Sequence, residues 1–395
     1  MKNIKIITIV GARPQFIKAA VVSRAIISFN SRHRLSTDNQ QLITEIIIHT
    51  GQHYDQNMSV VFFREMQIPE PAYNLDINGL DHGAMTGQML EKIEQVLLKE
   101  KPDLVLVYGD TNSTLAGALA AKKLHIKVAH VEAGLRSFNL NMPEEINRIL
   151  VDRISDILFC PTETAVNNLK KEGYPNIINH ESRTTNHQLI VNVGDVMYDA
   201  VLFYEKNAIQ SELEVDLKKT PFILVTLHRA ENTDDSKRLK SIFDAFIEIS
   251  GDMPVILPLH PRTRKKLQLL EHNYLDIIPK TLCLIPPVSY LEMIWLLKNC
   301  RLIMTDSGGL QKEAFFFKKP CITLREETEW IELVENKYNF IAGYESSDII
   351  LNYQKIKNIQ FNFSKKPYGK GNAGELIVEH IYRYFGLLIL SKYNK

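Results

Sequence analysis

The sequence lacks the features that define several classes of protein. It contains no run of about 18 uncharged apolar residues, the length that a membrane-spanning helix needs. The apolar run at residues 4–10 is too short for a signal peptide and is predicted to be a buried strand. An excess of one charge is also missing, because 47 basic and 46 acidic residues leave a net charge of +1. We therefore expect no nucleic-acid partner and no membrane partner.

Cysteine is scarce as well. The four cysteines lie singly in apolar stretches, at Cys160, Cys283, Cys300 and Cys321. This spacing is neither that of a disulfide framework nor that of a zinc site, and the twelve histidines contain no His-Glu-x-x-His pattern. The sequence thus predicts a protein of the reducing cytoplasm without a metal site.

The pattern that is present is an alternation of short β-branched runs with longer amphipathic stretches, which is typical of βαβ units and parallel sheets. Because 395 residues exceed what one core usually serves, we predict an α/β protein with two Rossmann-like domains whose parallel sheets face a central cleft. The first domain is predicted to span 1–193, completed by a C-terminal helix at 375–395, and the second 194–374. The polar segment 174–188 marks the boundary. Strands are predicted at 4–10, 43–49, 103–108, 126–131, 157–160, 189–194, 222–227, 254–258, 282–285, 301–305 and 320–324.

A glycine-rich junction follows the predicted strand at 301–305. Ser307, Gly308 and Gly309 lead into a helix, where free backbone N–H groups and the helix dipole favour an anion such as phosphate. Glu313, one turn into this helix, is placed to accept hydrogen bonds from ribose hydroxyls. The alternative interpretation is an ordinary helix N-cap with glycines that allow close packing.

A second junction follows the first strand, where Arg13 and Lys18 place two cations near a helix start. They suit a diphosphate, or they form a solvated helix face. In the second half, His228 and Arg229 directly follow a buried strand and suggest an anion clamp, although a lone histidine is more often structural.

Three carboxylates follow strand ends or open helices: Asp110, Glu132 and Glu144. In an open α/β sheet the carboxyl ends of the strands meet at the ligand crevice, so these groups are expected to cluster there. Crowded carboxylates shift one another's pKa, so that one can hold a proton while another accepts one. Taken singly, each is better explained by an N-cap or a salt bridge, and Glu144 is spaced to pair with Arg148.

Taken in order, the motifs resemble the non-hydrolysing UDP-N-acetylglucosamine 2-epimerase family over about residues 5–345. They are Gly-Ala-Arg-Pro-Gln-Phe-Ile-Lys at 11–18, Thr-Gly-Gln-His-Tyr at 50–54, Tyr-Gly-Asp-Thr-Asn-Ser-Thr at 108–114, His-Val-Glu-Ala-Gly-Leu-Arg at 130–136, Pro-Glu-Glu-Ile-Asn-Arg at 143–148, Leu-His-Arg-Ala-Glu-Asn at 227–232 and Asp-Ser-Gly-Gly-Leu-Gln-Lys-Glu-Ala at 306–314.

The resemblance implies a fold of the glycosyltransferase-B type and a homodimeric enzyme that inverts C2 of a UDP-sugar without a cofactor. It implies proton transfer and sugar positioning by Asp110, Glu132 and Glu144, with His228 close to the leaving diphosphate. It implies that substrate or UDP is bound by Arg13, Lys18, Arg148, Arg229, Asn232, Val288, Met293, Ser307, Gly308, Gly309 and Glu313. Within this set the backbone N–H groups of 307–309 would hold phosphate, Glu313 the ribose, and the loop from Val288 to Met293 the uracil. From spacing alone, core packing explains that loop equally well.

Two departures from the family pattern are similar to a subgroup that acts on UDP-2,3-diacetamido-2,3-dideoxyglucuronate in surface-polysaccharide synthesis. Gln15 stands where many members have glutamate, and Trp330 where many have arginine. The loss of a negative charge at Gln15 would suit a uronate substrate. The competing interpretations are a glycosyltransferase of the same fold, a hydrolysing epimerase and a non-catalytic nucleotide-sugar sensor.

Overall fold

The computed structural model describes residues 3–36, 41–52, 63, 67, 69–174, 188–210, 220–270 and 274–393. The chain divides into two compact units, the first formed by residues 1–200 with 366–395 and the second by 201–365. Each unit is built on a parallel sheet with helices packed against it, which confirms the predicted fold class of two Rossmann-like α/β domains.

The first unit holds a seven-stranded sheet in the order β3-β2-β1-β4-β5-β6-β7, and all of its strand pairs are parallel. Its strands are β1 Ile4–Val10, β2 Ile43–His49, β3 Tyr73–Asn74, β4 Leu104–Tyr108, β5 Lys127–Val131, β6 Ile157–Cys160 and β7 Leu189–Asn192. Its helices are α1 Arg13–Ser36, α2 His82–Glu100, α3 Asn112–Lys123, α4 Pro143–Ile154, α5 Glu163–Lys171, α6 Val196–Tyr204, which runs on into the second unit, and the C-terminal α14 Ala373–Tyr393. The central strand β4 is buried along its whole length.

The second unit holds a six-stranded parallel sheet in the order β10-β9-β8-β11-β12-β13. Its strands are β8 Ile223–Thr226, β9 Val255–Pro258, β10 Leu282–Ile285, β11 Leu302–Thr305, β12 Cys321–Thr323 and β13 Asn339–Ile341. Its helices are α7 Ala230–Thr233, α8 Ser236–Ser250, α9 Pro261–Leu269, α10 Tyr290–Asn299, α11 Gly308–Phe316, α12 Ile331–Glu335 and α13 Ser346–Ile356, with 3₁₀ turns at Glu205–Asn207 and Tyr274–Ile277.

Each predicted strand is present, with ends that shift by at most two residues because strand ends are the least determined part of the pattern. The short edge strands β3 and β13 were not predicted, since two or three residues carry too little alternation to detect. The sequence also predicts a surface insertion at the polar stretch 30–41; residues 30–36 continue α1, and residues 37–40 lie outside the described residues. The predicted boundary segment 174–188 lies almost entirely outside the described residues.

The chain passes between the units twice, and the two passages lie side by side in the first unit. The backbone N–H of Asp195 donates to the carbonyl of Tyr368 at 3.1 Å, and the N–H of Gly374 donates to the carboxylate of Asp199 at 2.9 Å. These bonds join the start of α6 to the segment that leads into α14. The C-terminal helix is thereby returned to the first unit, where it packs against α1.

No helix within the described ranges has the length and apolar character that a membrane crossing requires.

Candidate active site

The junction between β1 and α1 is held by one buried amide side chain. The Oε1 atom of Gln15 accepts hydrogen bonds from the N–H groups of Gly11 and Ala12 at 2.8 and 2.9 Å. Its Nε2 donates to the carbonyl of Tyr108 and to Oγ1 of Thr114 at 2.8 and 2.9 Å. Gln15 is 1% exposed, so the hypothesis that it lowers the charge facing a uronate is not supported. The amide is used instead to join β1, β4 and α3.

The predicted cation Lys18 contacts the predicted carboxylate Glu132. The ammonium of Lys18 forms an ion pair with Oε2 of Glu132, and both side chains are less than a tenth exposed. Glu132 has a φ of 75°, a conformation that is uncommon outside glycine and that costs free energy. A Cβ at Gly109 would lie 3.2 Å from Nζ of Lys18, so the absence of a side chain there makes room for the pair. Arg13, at the first position of α1, is half-buried.

Asp110 follows Gly109 and is paired with Arg148. Oδ2 of Asp110 lies 2.5 Å from one terminal nitrogen of Arg148, and the other terminal nitrogen lies 3.1 Å from Oε2 of Glu145. Glu145 is fully buried and also accepts from the N–H groups of Ser137 and Phe138 at 3.0 Å. The pairing considered for Arg148 with Glu144 is therefore wrong, since Arg148 pairs with Asp110 and Glu145.

Glu144 lies in the first turn of α4 and is exposed. The structure thus places the carboxylate of Glu132 against Gly109 and Asp110 next to Gly109 in the chain, each carboxylate with its own cation. It places Glu144 on the surface of the helix that also carries Arg148.

A buried histidine, His130, supports this turn. Its Nε2 lies 2.7 Å from the carbonyl oxygen of Gly109, and its Nδ1 lies 2.7 Å from Asp152. Burial would raise the pKa of Asp152, but the hydrogen bonds and charges of His130 and Arg136 outweigh it and lower that pKa from its ordinary value. His130 is the first residue of the motif at 130–136, although the sequence analysis assigns it no role.

In the second unit, Asp306 organises the ends of β8 and β11. Its buried carboxylate accepts the backbone N–H groups of His228 and Arg229 at 3.1 and 2.9 Å, and it lies 3.2 Å from Nδ1 of His228. The Nε of Arg229 donates to the carbonyl of Asp306, and the amide of Asn232 donates to the carbonyl of Leu324, both at 2.9 Å. The imidazole of His228 is more than half exposed. Asp306 was not among the predicted site residues. It directly follows β11, and Asp110 follows β4 after one intervening residue, so its position at a strand end was a signal in the sequence.

The N-terminus of α11 holds the predicted glycines. Ser307 is the N-cap, and its hydroxyl accepts from the N–H of Leu310 at 3.4 Å. A Cβ at Gly308 would lie 2.2 Å from Oε1 of Glu329, whereas a Cβ at Gly309 would meet only the hydroxyl of Ser307 at 3.9 Å. Gly308 is therefore required for close packing, and Gly309 stays exposed at the helix start.

Trp330 packs directly beneath this helix start. Its indole N–H donates to the carbonyl of Gly308 at 2.9 Å, and the ammonium of buried Lys312 lies 4.1 Å from the centre of its ring. The nearby pair of Arg325 and Glu329 is also buried, with a distance of 2.9 Å. The tryptophan at position 330, where many family members have arginine, thus supports the glycine-rich turn through this hydrogen bond.

The residues predicted to contact the ribose and the uracil lie in or next to α10. Glu313 is buried, and its Oε1 accepts from the hydroxyl of Tyr290, the first residue of α10, at 3.2 Å. Val288 and Met293 are half-buried and pack against the core that also contains Trp295. Within the described part of the chain, no group of three or more histidine, cysteine or acidic side chains is close enough to hold a metal ion.

Comparison with known proteins gives consistent matches over nearly the whole chain. A family model described as UDP-N-acetylglucosamine 2-epimerase matches residues 35–382. The chain is 53% identical to a UDP-2,3-diacetamido-2,3-dideoxy-D-glucuronate 2-epimerase of Pseudomonas aeruginosa, covering 95% of this chain and 99% of that protein. It is 46% identical to a UDP-N-acetylglucosamine 2-epimerase of Methanocaldococcus jannaschii, covering 95% and 98%.

Solved structures agree with these sequence matches. The crystal structure of Methanocaldococcus jannaschii UDP-GlcNAc 2-epimerase in complex with UDP-GlcNAc and UDP matches with a TM-score of 0.81 at 45% identity, covering 96% of this chain and 99% of that one. The Neisseria meningitidis UDP-GlcNAc 2-epimerase bound to UDP-GlcNAc matches with a TM-score of 0.80 at 29% identity, covering 96% and 100%.

Proposed function

Because the chain belongs to the UDP-N-acetylglucosamine 2-epimerase family and is thus an isomerase, we propose that it inverts C2 of a UDP-2-acetamido sugar without hydrolysing it. The observation that carries the proposal is a pair of carboxylates at the turn around Gly109: Glu132, which is paired with Lys18, and Asp110, which is paired with Arg148. Such groups are suited to accept and donate a proton in separate steps.

The C2 hydrogen of such a sugar is not acidic, so elimination is the easier route. A base removes the C2 proton as the C1–O bond to UDP breaks, which leaves a glycal and free UDP. UDP then adds back to C1 while an acid delivers a proton to the opposite face of C2. Glu132 contacts the ammonium of Lys18, and as a carboxylate it is the group that we assign to accept the proton.

We assign UDP to the second unit and the proton-transfer groups to the first. The backbone N–H of Ser307 donates to Oγ1 of Thr305 at 2.9 Å, so Ser307 would reach the phosphate only by exchanging that bond, whereas Gly308 and Gly309 would bind it directly. His228 and Arg229 would stabilise the charge on the leaving diphosphate. Glu313 would accept from the ribose, and Val288 with Met293 would contact the uracil. Arg13, Lys18, Arg148 and Asn232 complete the proposed set, and Glu144 is the third proposed proton-transfer group.

Two sugars are candidates for the substrate. The match to the Pseudomonas aeruginosa enzyme favours UDP-2,3-diacetamido-2,3-dideoxyglucuronate, and the Methanocaldococcus jannaschii match favours UDP-N-acetylglucosamine. Incubation of the purified protein with each sugar, followed by proton NMR of C2 inversion, separates them.

Solvent labelling tests the mechanism. In deuterated water, with no acceptor present, the epimerised UDP-sugar should carry deuterium at C2, because the proton is exchanged before the glycal is reprotonated. Epimerised product without label would rule out the elimination route. Free sugar together with UDP as the sole products would instead indicate a hydrolysing enzyme, and turnover only with an added acceptor would indicate a glycosyltransferase.

We further propose that the enzyme is a homodimer of the cytoplasm that supplies a nucleotide sugar for surface-polysaccharide synthesis. The support is the resemblance of its motifs and the scattered cysteines, which suit a reducing compartment. Light scattering should give about twice the mass of one chain, and a single-chain mass at micromolar concentration would contradict the dimer.

A further inference from the structure

A cavity of about 410 Å³ lies in the second unit, at the amino-terminal ends of β11 and β12. Its walls come from the turn before β9, the start of β11, the turn before β12, and the end of α13 with the segment that follows it. In parallel α/β sheets the substrate crevice forms at the carboxyl ends of the strands, where His228 and Asp306 lie in this unit. The proposed epimerase reaction uses no residue of this cavity.

The charge of the cavity wall is all of one sign. The wall contains four cations, Arg301, Lys318, Lys319 and Lys357, and none of the lining residues is acidic. The ammonium of Lys357 is paired with the carboxylate of Asp252, which lies outside the lining, at 2.7 Å. Within the described ranges, the side chains of the other three cations make no ion pair. In a chain with a net charge of +1, this is a local excess of positive charge that an anion would neutralise.

The segment 359–363, which follows α13 and forms one wall of the cavity, packs against β13 and the residue before it. The ring of Phe363 stacks on Tyr338 with 4.8 Å between centroids, and Phe361 lies 6.1 Å from Phe340. The hydroxyl of Tyr338 donates to the carbonyl of Asn362 at 3.0 Å. These contacts make the wall a preformed surface, with apolar rings beside the cations.

We propose that this cavity binds a small polyanion, a molecule with two or more phosphate or carboxylate groups whose uncharged part packs against Phe361 and Phe363. The volume falls in the range of about 300–1,000 Å³ that is usual for small-molecule sites, and it is too small for a macromolecule. Lysine and arginine together provide the point charge and the planar fork that bind such groups. The site is separate from the proposed epimerase site and does not depend on that assignment.

Calorimetric titration with two probes tests the proposal. Tripolyphosphate represents phosphate ligands and citrate represents carboxylate ligands, and the tighter binder identifies the class. The double variant Arg301→Gln with Lys318→Asn should bind the preferred probe at least about tenfold more weakly, because each charge-assisted hydrogen bond contributes about that much.

A control double variant has the same net charge as the test double variant, because it also loses two cations. Lys337→Asn with Lys265→Gln removes two exposed cations elsewhere in the same unit, and Lys337 shares the φ of 57° found at Lys318. Asparagine tolerates that conformation, so both variants should fold, which melting curves would verify. The control should bind as the wild type does. Equal binding by the two double variants, or no binding of either probe to the wild type, would overturn the site. Turnover is not measured, so the outcome is independent of the epimerase assignment.

Discussion

At the scale of single residues, the site of the first unit depends on buried polar side chains that each serve more than one element. Gln15 joins the turn after β1 to the end of β4, and His130 joins the end of β5 to the carbonyl of Gly109. Arg148 reaches from α4 to Asp110. These residues hold the proposed proton-transfer groups in place, so their substitution should affect stability and turnover together.

The change Gln15→Glu tests the structural role of the amide. A carboxylate could still accept from Gly11 and Ala12, but it could not donate to the carbonyl of Tyr108, which would face a buried negative charge. We expect the free energy of unfolding at neutral pH to fall by about 1–3 kcal/mol, the usual effect of an unsatisfied buried group. Urea unfolding measures this. The matched change Gln268→Glu on exposed α9 should leave the midpoint unchanged, and equal midpoints for all three proteins would contradict the assignment.

The carboxylates Asp110, Glu132 and Glu144 are expected to act on the proton of C2. Replacing each by its amide, as Asp110→Asn, Glu132→Gln and Glu144→Gln, should lower kcat by about 10²–10⁴-fold, the usual effect of losing general acid or base catalysis. Initial rates and melting temperatures are measured together. Glu163→Gln, an exposed carboxylate in the first turn of α5, is the control for Glu144 and should be fully active. Full activity in all three amide variants would refute the roles.

At the scale of elements, the N-terminus of α11 is shaped by what lies beneath it. The carbonyl of Gly308 accepts from the indole of Trp330, and Glu329 occupies the space that a side chain at 308 would need. The N–H groups of Gly308 and Gly309 thus belong to a helix start that Trp330 holds by a hydrogen bond. This is the arrangement that an anion site requires.

The two glycines of this turn should differ sharply on substitution. Gly308→Ala would push Glu329 away from Arg325, so we expect a loss of about 1–3 kcal/mol in stability, as for overpacked sites, and weaker binding of UDP. Gly309→Ala meets no close protein atom, so it should be as stable as the wild type. Thermal melts and UDP titration provide the measurement. Similar losses in both variants would mean that crowding at Glu329 is not the cause.

At the scale of the whole molecule, the chain must return from the second unit to complete the first. The carboxylate of Asp199 helps to attach the returning segment, because it accepts a hydrogen bond from the N–H of Gly374 at the start of α14. Burial raises the pKa of Asp199 to about 6, although hydrogen bonds from Gly374 and Ala373 oppose the rise. The raised pKa makes the attachment of the C-terminal helix sensitive to pH.

The sign of this effect follows from the direction of the shift. The folded state holds the proton more tightly than the unfolded state, so the stability from the neutral carboxyl is complete below pH 3.8 and is lost as pH rises through about 6. Asp199→Asn should therefore be more stable than the wild type at pH 7 by about 1–2 kcal/mol, and the difference should close toward pH 4. Urea unfolding from pH 4 to 8 measures it, with exposed Asp276→Asn as control. A difference that does not vary with pH would exclude titration of Asp199 as the cause.

The alternation of buried strands and amphipathic helices determined the fold class and nearly every strand, because parallel strands buried on both faces carry strong apolar runs. The junction residues were also evident, since functional groups in such folds follow strand ends. The resemblance of the motifs named the family that the comparisons confirm.

The pairings were decided only in the tertiary structure. Arg148 is spaced to meet Glu144 along the helix, yet it meets Asp110 from a different element and Glu145 from its own. Gln15, interpreted from sequence as the loss of a negative charge that would suit a uronate, is buried and donates to the carbonyl of Tyr108, 93 residues away in the chain. A single sequence encodes the period of an element and the chemistry at its ends. Which buried polar groups satisfy one another depends on elements that are distant in sequence and adjacent in space, and that is fixed only when the sheet assembles.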